Sequence, residues 1–447
     1  MLSVLRNRTY RRLFTAQVVA LAGTGLATVA LSLLAYDLAG DGASAVLGTA
    51  LAIKMVTYVA IAPVIGASAD RIPRRVLMAA MDLTRAAVAL ALPFVTQVWQ
   101  IYLTVFLLQA ASAAFTPTFQ ATIPQVLPAE RDYTQALSMS RLAYDLESLL
   151  SPALAAVLLS VVSYNWLFAG TTLGFVASAA LVLSAVLPRP SPAERTGGIH
   201  TKATYGIRLF WHTPRLRALL ALDLAVASAG AVVFVNTVVV VQGHFGRPAT
   251  AVSLALAAFG TGSILTALAL PPLLRKVSDR AVMLPAAYAL APVLAFVAAV
   301  TAAAPSAPSW LGLLAAWAAI GAATSAVLTP GGRIVRRSVS DPDLPAAFAA
   351  QFSLSHSCWL LTYPLAGRLA AGAGLPVTAG LLAAIALAAT VTASLTWPAG
   401  EPAAVEHLHP DLAIGHPHLA DAQPTPSGWR HSHVLDQHRR HRPRAAA

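Results

Sequence analysis

The stretch Gly66-Ala67-Ser68-Ala69-Asp70-Arg71-Ile72-Pro73-Arg74-Arg75 is a charged turn set between two long apolar runs. A bilayer core about 30 Å thick needs roughly 20 mainly apolar residues per helix, so runs of this length read as membrane spans. The whole chain agrees. Its 447 residues are 57% hydrophobic and 11% charged, with a mean hydropathy of +0.67. Soluble domains carry roughly 25% charged residues, so lipid is the solvent here. Backbone groups in lipid must be satisfied internally, by helices or by closed barrels. Barrel strands would alternate apolar and polar residues; these runs are continuous, so they are helices.

Working outward from the turn, the sequence predicts twelve spans. They fall near 12–39, 44–69, 76–96, 98–121, 137–163, 165–187, 216–242, 250–273, 280–303, 309–330, 344–371 and 374–397. Arg6, Arg8, Arg11 and Arg12 precede the first run, which is too long for the short apolar region of a signal peptide. The single cysteine, Cys358, excludes an intrachain disulfide and a cysteine-based zinc knuckle.

The formal charge is +12. Its placement speaks for topology rather than for nucleic acid. With the N-terminus inside, every Lys or Arg outside the spans except Arg247 falls on the cytoplasmic side, as the positive-inside rule requires. An even number of spans returns the C-terminus to the cytoplasm. The expected location is a bacterial cytoplasmic membrane, with lipid as the surrounding partner and no nucleic-acid partner.

The two halves repeat one pattern. Thr116-Pro117 precedes a charged loop and then a span holding Ser151-Pro152; Thr329-Pro330 precedes a similar loop and then a span holding Tyr363-Pro364. Duplicated halves are common in transporters. The division predicted is a six-helix half over 1–187, a cytoplasmic linker over 188–215, a second six-helix half over 216–398 and a tail over 399–447.

Here the opening turn acquires a name. It closely resembles the G-x-x-x-D-R-x-x-R-R signature of the major facilitator superfamily, with Pro73 where that family usually has glycine. A worn copy, Leu274-Arg275-Lys276-Val277-Ser278-Asp279-Arg280, stands at the matching loop of the second half. The resemblance implies an all-α membrane protein with twelve transmembrane helices, working as a secondary transporter and not as an enzyme. It also implies that spans one, four, seven and ten line the cavity. Gly66, Asp70, Arg71, Arg74 and Arg75 are then candidates for gating, because a carboxylate beside guanidinium groups can latch one state.

Ionisable residues at membrane depth cost at least about 2.5–3.5 kcal/mol and usually mark a pathway or a pair. Arg141 and Asp145 are four apart on one helix face and can pair structurally near the rim. Glu147 points elsewhere and has no local partner, which makes it the leading candidate for proton coupling or cation binding. Asp223 in the seventh span and His356 in the eleventh are further candidates, with Cys358 near the latter. Asp82 and Arg85 read as a structural pair. Asp37 reads as solvated at the far interface, and Lys54 as either snorkelling or answering a carboxylate.

The tail holds His407, His409, His416, His418, His431, His433, His438 and His441, eight of the twelve histidines. Six form His-x-His pairs, which in an extended chain put two imidazoles on one side. Five interspersed prolines predict disorder. Imidazole suits Ni2+, Co2+, Cu2+ and Zn2+, so these eight are candidate metal ligands. The N-terminal Leu5-Arg6-Asn7-Arg8-Thr9-Tyr10-Arg11, the Arg141–Pro152 stretch and the His-rich end together resemble bacterial Nre-type nickel-resistance exporters. That resemblance implies efflux of Ni2+, with Co2+ as a second ion. The expected mechanism is proton antiport by a monomer, the metal being cargo and no cofactor being needed. No G-x-x-x-x-G-K-[ST] phosphate loop is present. Two rival readings are a proton-coupled exporter of a drug or siderophore and a membrane-bound metal buffer or sensor.

Overall fold

Apolar runs that satisfy their own backbone need only caps and turns to delimit them, and the computed structural model shows both. It describes residues 2–40, 43–68, 72–187, 199–397, 405–409, 423–426 and 428–433. The first group of helices is α1 (Arg8–Ala39), α2 (Ala43–Ser68), α3 (Arg74–Ala91), α4 (Val98–Val126), α5 (Glu130–Leu159) and α6 (Tyr164–Ser184). A connecting helix, α7 (Ile199–His212), follows. The second group is α8 (Pro214–Val238), α9 (Ala249–Leu273), α10 (Asp279–Ala302), α11 (Ala307–Ser338), α12 (Leu344–Gly372) and α13 (Leu375–Thr396). The seventh to twelfth spans are therefore α8 to α13.

Local chemistry sets the ends. The Asn7 side chain accepts from the Tyr10 backbone N–H at 3.0 Å and caps α1; Ser278 caps α10 in the same way. Ser306 and Ser309 form a reciprocal capping box at α11. Gly374, at φ 87°, makes the turn between α12 and α13, a conformation that a side chain would disfavour.

Among the described residues, ten helical stretches are long and apolar enough to cross a membrane. α5 and α12, with 30 and 29 residues, are as long. Hydrogen bonds show which ends lie together. Asn7 Nδ2 donates to Val126 O, joining the start of α1 to the end of α4. Arg12 donates to Ser184 O at the end of α6, and Arg280 Nε to Trp397 O beyond α13. This end carries most of the basic residues and is called the basic end below.

Each group of helices has its own core. One apolar cluster is built almost wholly from α7–α13, and two others from the first group. Inside the second group, α9 and α11 cross almost backbone to backbone. A Cβ added at Gly262 would lie 1.9 Å from Ala318 O, and one at Gly321 1.9 Å from Phe259 O. Small residues that admit such contacts are the usual means of packing helices in lipid. Gly321→Ala therefore forces two backbones apart. It should lower stability by about 1–3 kcal/mol, the range for overpacking, read as a lower thermal midpoint in detergent.

In the tail, the described residues form strands β1 (Val405–His409), β2 (Gln423–Thr425) and β3 (Gly428–His433), antiparallel in the order β1-β3-β2. Pro424 lies on the edge strand β2, where a missing N–H is tolerated. The register sets His407 opposite His431 and Val405 opposite His433. His416, His418, His438 and His441 lie outside the described residues, and of His407, His409, His431 and His433 only the backbone is described.

Candidate transport cavity

Where the two groups of helices face one another, they enclose a cavity of about 560 Å3. α1, α4, α8 and α11 contribute to its walls, as do α2, α3, α5 and α12. The polar lining includes Gln17, Lys54, Arg85, Arg141, Glu147, Asp223, Gln351 and His356. Aromatic rings from Tyr58, Phe115, Phe119, Tyr144, Phe348, Phe352, Trp359 and Tyr363 fill the rest.

The charges are arranged as pairs. Arg141 Nη2 meets Asp145 Oδ1 at 3.0 Å, the contact that their spacing predicts. What the spacing does not reveal is Ser263 on α9. Its hydroxyl donates to Asp145 Oδ2 at 2.6 Å and accepts from Arg141 Nη2 at 3.0 Å. The pair is thus a tie between the two groups of helices rather than a rim feature of one helix. Asp82 and Arg85 also pair. Ser178 donates to Asp82 Oδ2 at 2.6 Å, and the guanidinium lies between the Phe115 and Phe175 rings at 4.7 and 4.5 Å. Asp37 is exposed at the end of α1.

Among the described residues, Glu147 finds no partner on its own helix, but Lys54 on α2 interacts with it electrostatically, and both line the cavity. Gly25 on α1 makes room for this carboxylate: an added Cβ would lie 1.9 Å from Ser151 Oγ and 3.0 Å from Glu147 Oε1. Lys54 Nζ also lies 5.8 Å from the centroid of the Tyr58 ring.

Tyr58 meets His356 edge-on at 4.8 Å between ring centroids. The His356 Nδ1 is 2.6 Å from Phe352 O. A carbonyl only accepts, so Nδ1 carries the proton and Nε2 keeps its lone pair. Cys358, two residues on, is buried and bonded to Leu354 O. Asp223 accepts from Gln351 Nε2 at 2.8 Å. Among the described residues, no three His, Cys, Asp or Glu side chains come together as a metal-binding group.

At the basic end the cavity is shut. Arg333 on α11 reaches Glu130 of α5 at 2.6 Å, Asp279 of α10 at 2.9 Å and Thr134 Oγ1 at 2.5 Å. Arg337 pairs with the same two carboxylates. Arg336 donates to Pro128 O at 2.7 Å. Gly332 packs so closely on Tyr133 that a Cβ would stand 2.8 Å from its hydroxyl. The described hydrogen bonds and ion pairs between the two groups all lie at this end or near mid-bundle.

Of the predicted gating residues, Gly66 lies near the end of α2. Arg74 is buried and donates to Gln125 Oε1 at 2.7 Å, while Arg75 is exposed. Asp70 and Arg71 lie outside the described residues. The worn copy is the better defined one here, because Asp279 takes part in the closure. Sequence reasoning did not select Arg333, Glu130, Gln351 or Ser263. Their partners lie more than a hundred residues away, beyond any local spacing rule.

Comparison with known proteins agrees with this architecture. The chain is 24% identical over 220 residues to the uncharacterized MFS-type transporter YfiS of Bacillus subtilis (strain 168), covering 47% of this chain and 51% of that protein. It is 28% identical over 168 residues to macrolide efflux protein A of Streptococcus pyogenes, covering 36% and 41%. The chain thus spans about half the length of the curated relatives it matches. The crystal structure of the human organic anion transporter MFSD10 (TETRAN) superposes with a TM-score of 0.72 at 14% identity, covering 86% of this chain and 99% of that one. The Major Facilitator Superfamily model matches residues 13–240. By that match and by its fold, the chain belongs to the major facilitator superfamily and is a multi-pass membrane transporter, not an enzyme.

Proposed function

We propose that the protein is a proton-driven exporter of an organic, amphiphilic molecule, with its basic end in the cytoplasm. The observation that carries this is the cavity itself. A space of about 560 Å3 walled by aromatic rings, with a few convergent polar groups, has the form of a site for a drug-sized molecule. The relative named as a macrolide efflux protein supports the same reading. Glu147 and Lys54 supply the coupling: when a proton from outside neutralises the carboxylate, the pair separates and the halves are free to rock.

A second reading is efflux of Ni2+, with Co2+ beside it, and the composition of the tail favours it. Its eight histidines, six of them in His-x-His pairs, offer imidazoles suited to a divalent ion. Against it stands the lack of a three-ligand group among the described residues of the cavity.

Growth of a pump-deficient strain expressing the chain separates the two. Protection against hydrophobic antibiotics, with none against nickel or cobalt, is the expected result. Proton-driven 63Ni2+ uptake into inverted vesicles, without antibiotic protection, reverses the order of the two readings.

A further inference from the structure

α8 and α12 both rise from the basic end, and the seam between them holds a carboxylate that no basic side chain among the described residues answers. Asp223 is 2% exposed. Its Oδ2 accepts from Gln351 Nε2, but its Oδ1 and the Gln351 Oε1 are buried without a hydrogen-bond partner. The other charged groups lining the cavity are matched: Arg141 with Asp145, Arg85 with Asp82, Lys54 with Glu147. With Asp223 ionised, both orphan atoms at the seam are acceptors, and neither can satisfy the other. Each dry acceptor costs about 1–3 kcal/mol, more where charge is involved.

Two helical turns farther along the same seam, the Trp359 ring lies over Gly230, where a Cβ would stand 2.3 Å from its Cη2. Tyr363 follows at 5.2 Å between ring centroids. Asp223, Gln351, Trp359 and Tyr363 all line the cavity. A bare metal ion takes a shell of several oxygens. This seam offers a few oxygens beneath a wall of aromatic rings, which suits an N–H-bearing cation attached to an apolar body.

We infer that the α8–α12 seam binds the ammonium group of the transported molecule, so that the cargo is a protonated organic amine. Asp223 Oδ1 and Gln351 Oε1 accept its N–H groups, and Trp359 and Tyr363 cover its apolar part. This rests on the organic-exporter reading and names its substrate class.

The test uses the purified full chain in detergent and follows its thermal midpoint. The probes are 2-phenylethylamine, its neutral analogue 2-phenylethanol, and NaCl, compared at matched ionic strength. The amine should raise the midpoint saturably and 2-phenylethanol should not. Asp223→Asn should weaken the apparent affinity at least about tenfold, the scale of one lost charge-assisted hydrogen bond. Gln351→Leu, which keeps the charge, should weaken it less and serves if Asp223→Asn does not fold. Equal responses to amine and alcohol, or unchanged affinity in both variants, overturn the inference. A saturable response to NaCl without one to the amine also overturns it, and assigns the seam to a bare ion. Binding needs no transport, so antibiotic export without amine binding defeats this inference alone. Amine binding without any export defeats the function reading alone.

Discussion

Arg333→Gln abolishes net transport. One guanidinium, 5% exposed, bonds to Glu130 and Thr134 of the first group of helices and to Asp279 of the second. Its removal leaves Asp279, itself 3% exposed, with the half-exposed Arg337 as its ion-pair partner and Arg215 acting electrostatically. Removing one member of a buried pair costs about 3–5 kcal/mol, because the remaining charge is stranded. At about 1.4 kcal/mol per factor of ten, that shifts the balance between closed and open basic ends more than a hundredfold. Glu130 is different, since its side chain is 49% exposed and water screens much of its charge. Glu130→Gln should therefore slow transport only a few-fold. Cargo flux in inverted vesicles reads both effects. Wild-type flux in Arg333→Gln, or equal losses in both variants, would remove this network from the gate.

The contrast between Arg333 and Arg141 shows what a sequence can reveal in a protein of this kind. Arg141 and Asp145 lie four residues apart on one helix, so helical periodicity alone predicts their pairing. Arg333 and Glu130 are two hundred residues apart, and only the packing of α5 against α11 joins them. The fold was legible because lipid imposes it: each span must be a self-satisfied helix, and length and apolarity announce it. Even so, α5 begins at Glu130, seven residues before the predicted span, because its first two turns project beyond the apolar part. The cavity was only half legible. Glu147, Asp223 and His356 stood out as polar groups among apolar ones, but nothing local could assign Lys54 to Glu147 or Gln351 to Asp223.

Glu147→Gln removes gradient-driven accumulation of cargo while leaving exchange of cargo for cargo. The glutamine keeps the shape that Gly25 and Ser151 accommodate, so packing against α1 survives. What it loses is the charge that answers Lys54 and the capacity to take up and give back a proton. In the wild type, protonation of Glu147 frees Lys54 and alters the charge balance of the cavity with each cycle; in the variant that balance never changes. An unanswered lysine at membrane depth costs about 2.5–3.5 kcal/mol, or about sixty- to three-hundredfold in population at the usual conversion, so gradient-driven flux should fall on that order. Lys54→Met in the same chain removes the stranded charge. The double variant should regain stability and keep cargo exchange, but not regain proton coupling. The decisive measurement compares cargo uptake into inverted vesicles with and without an imposed pH gradient, in wild type, Glu147→Gln and the double variant. A double variant that still concentrates cargo when protons flow would take the coupling role away from Glu147, leaving Lys54–Glu147 as a structural pair like Asp82–Arg85.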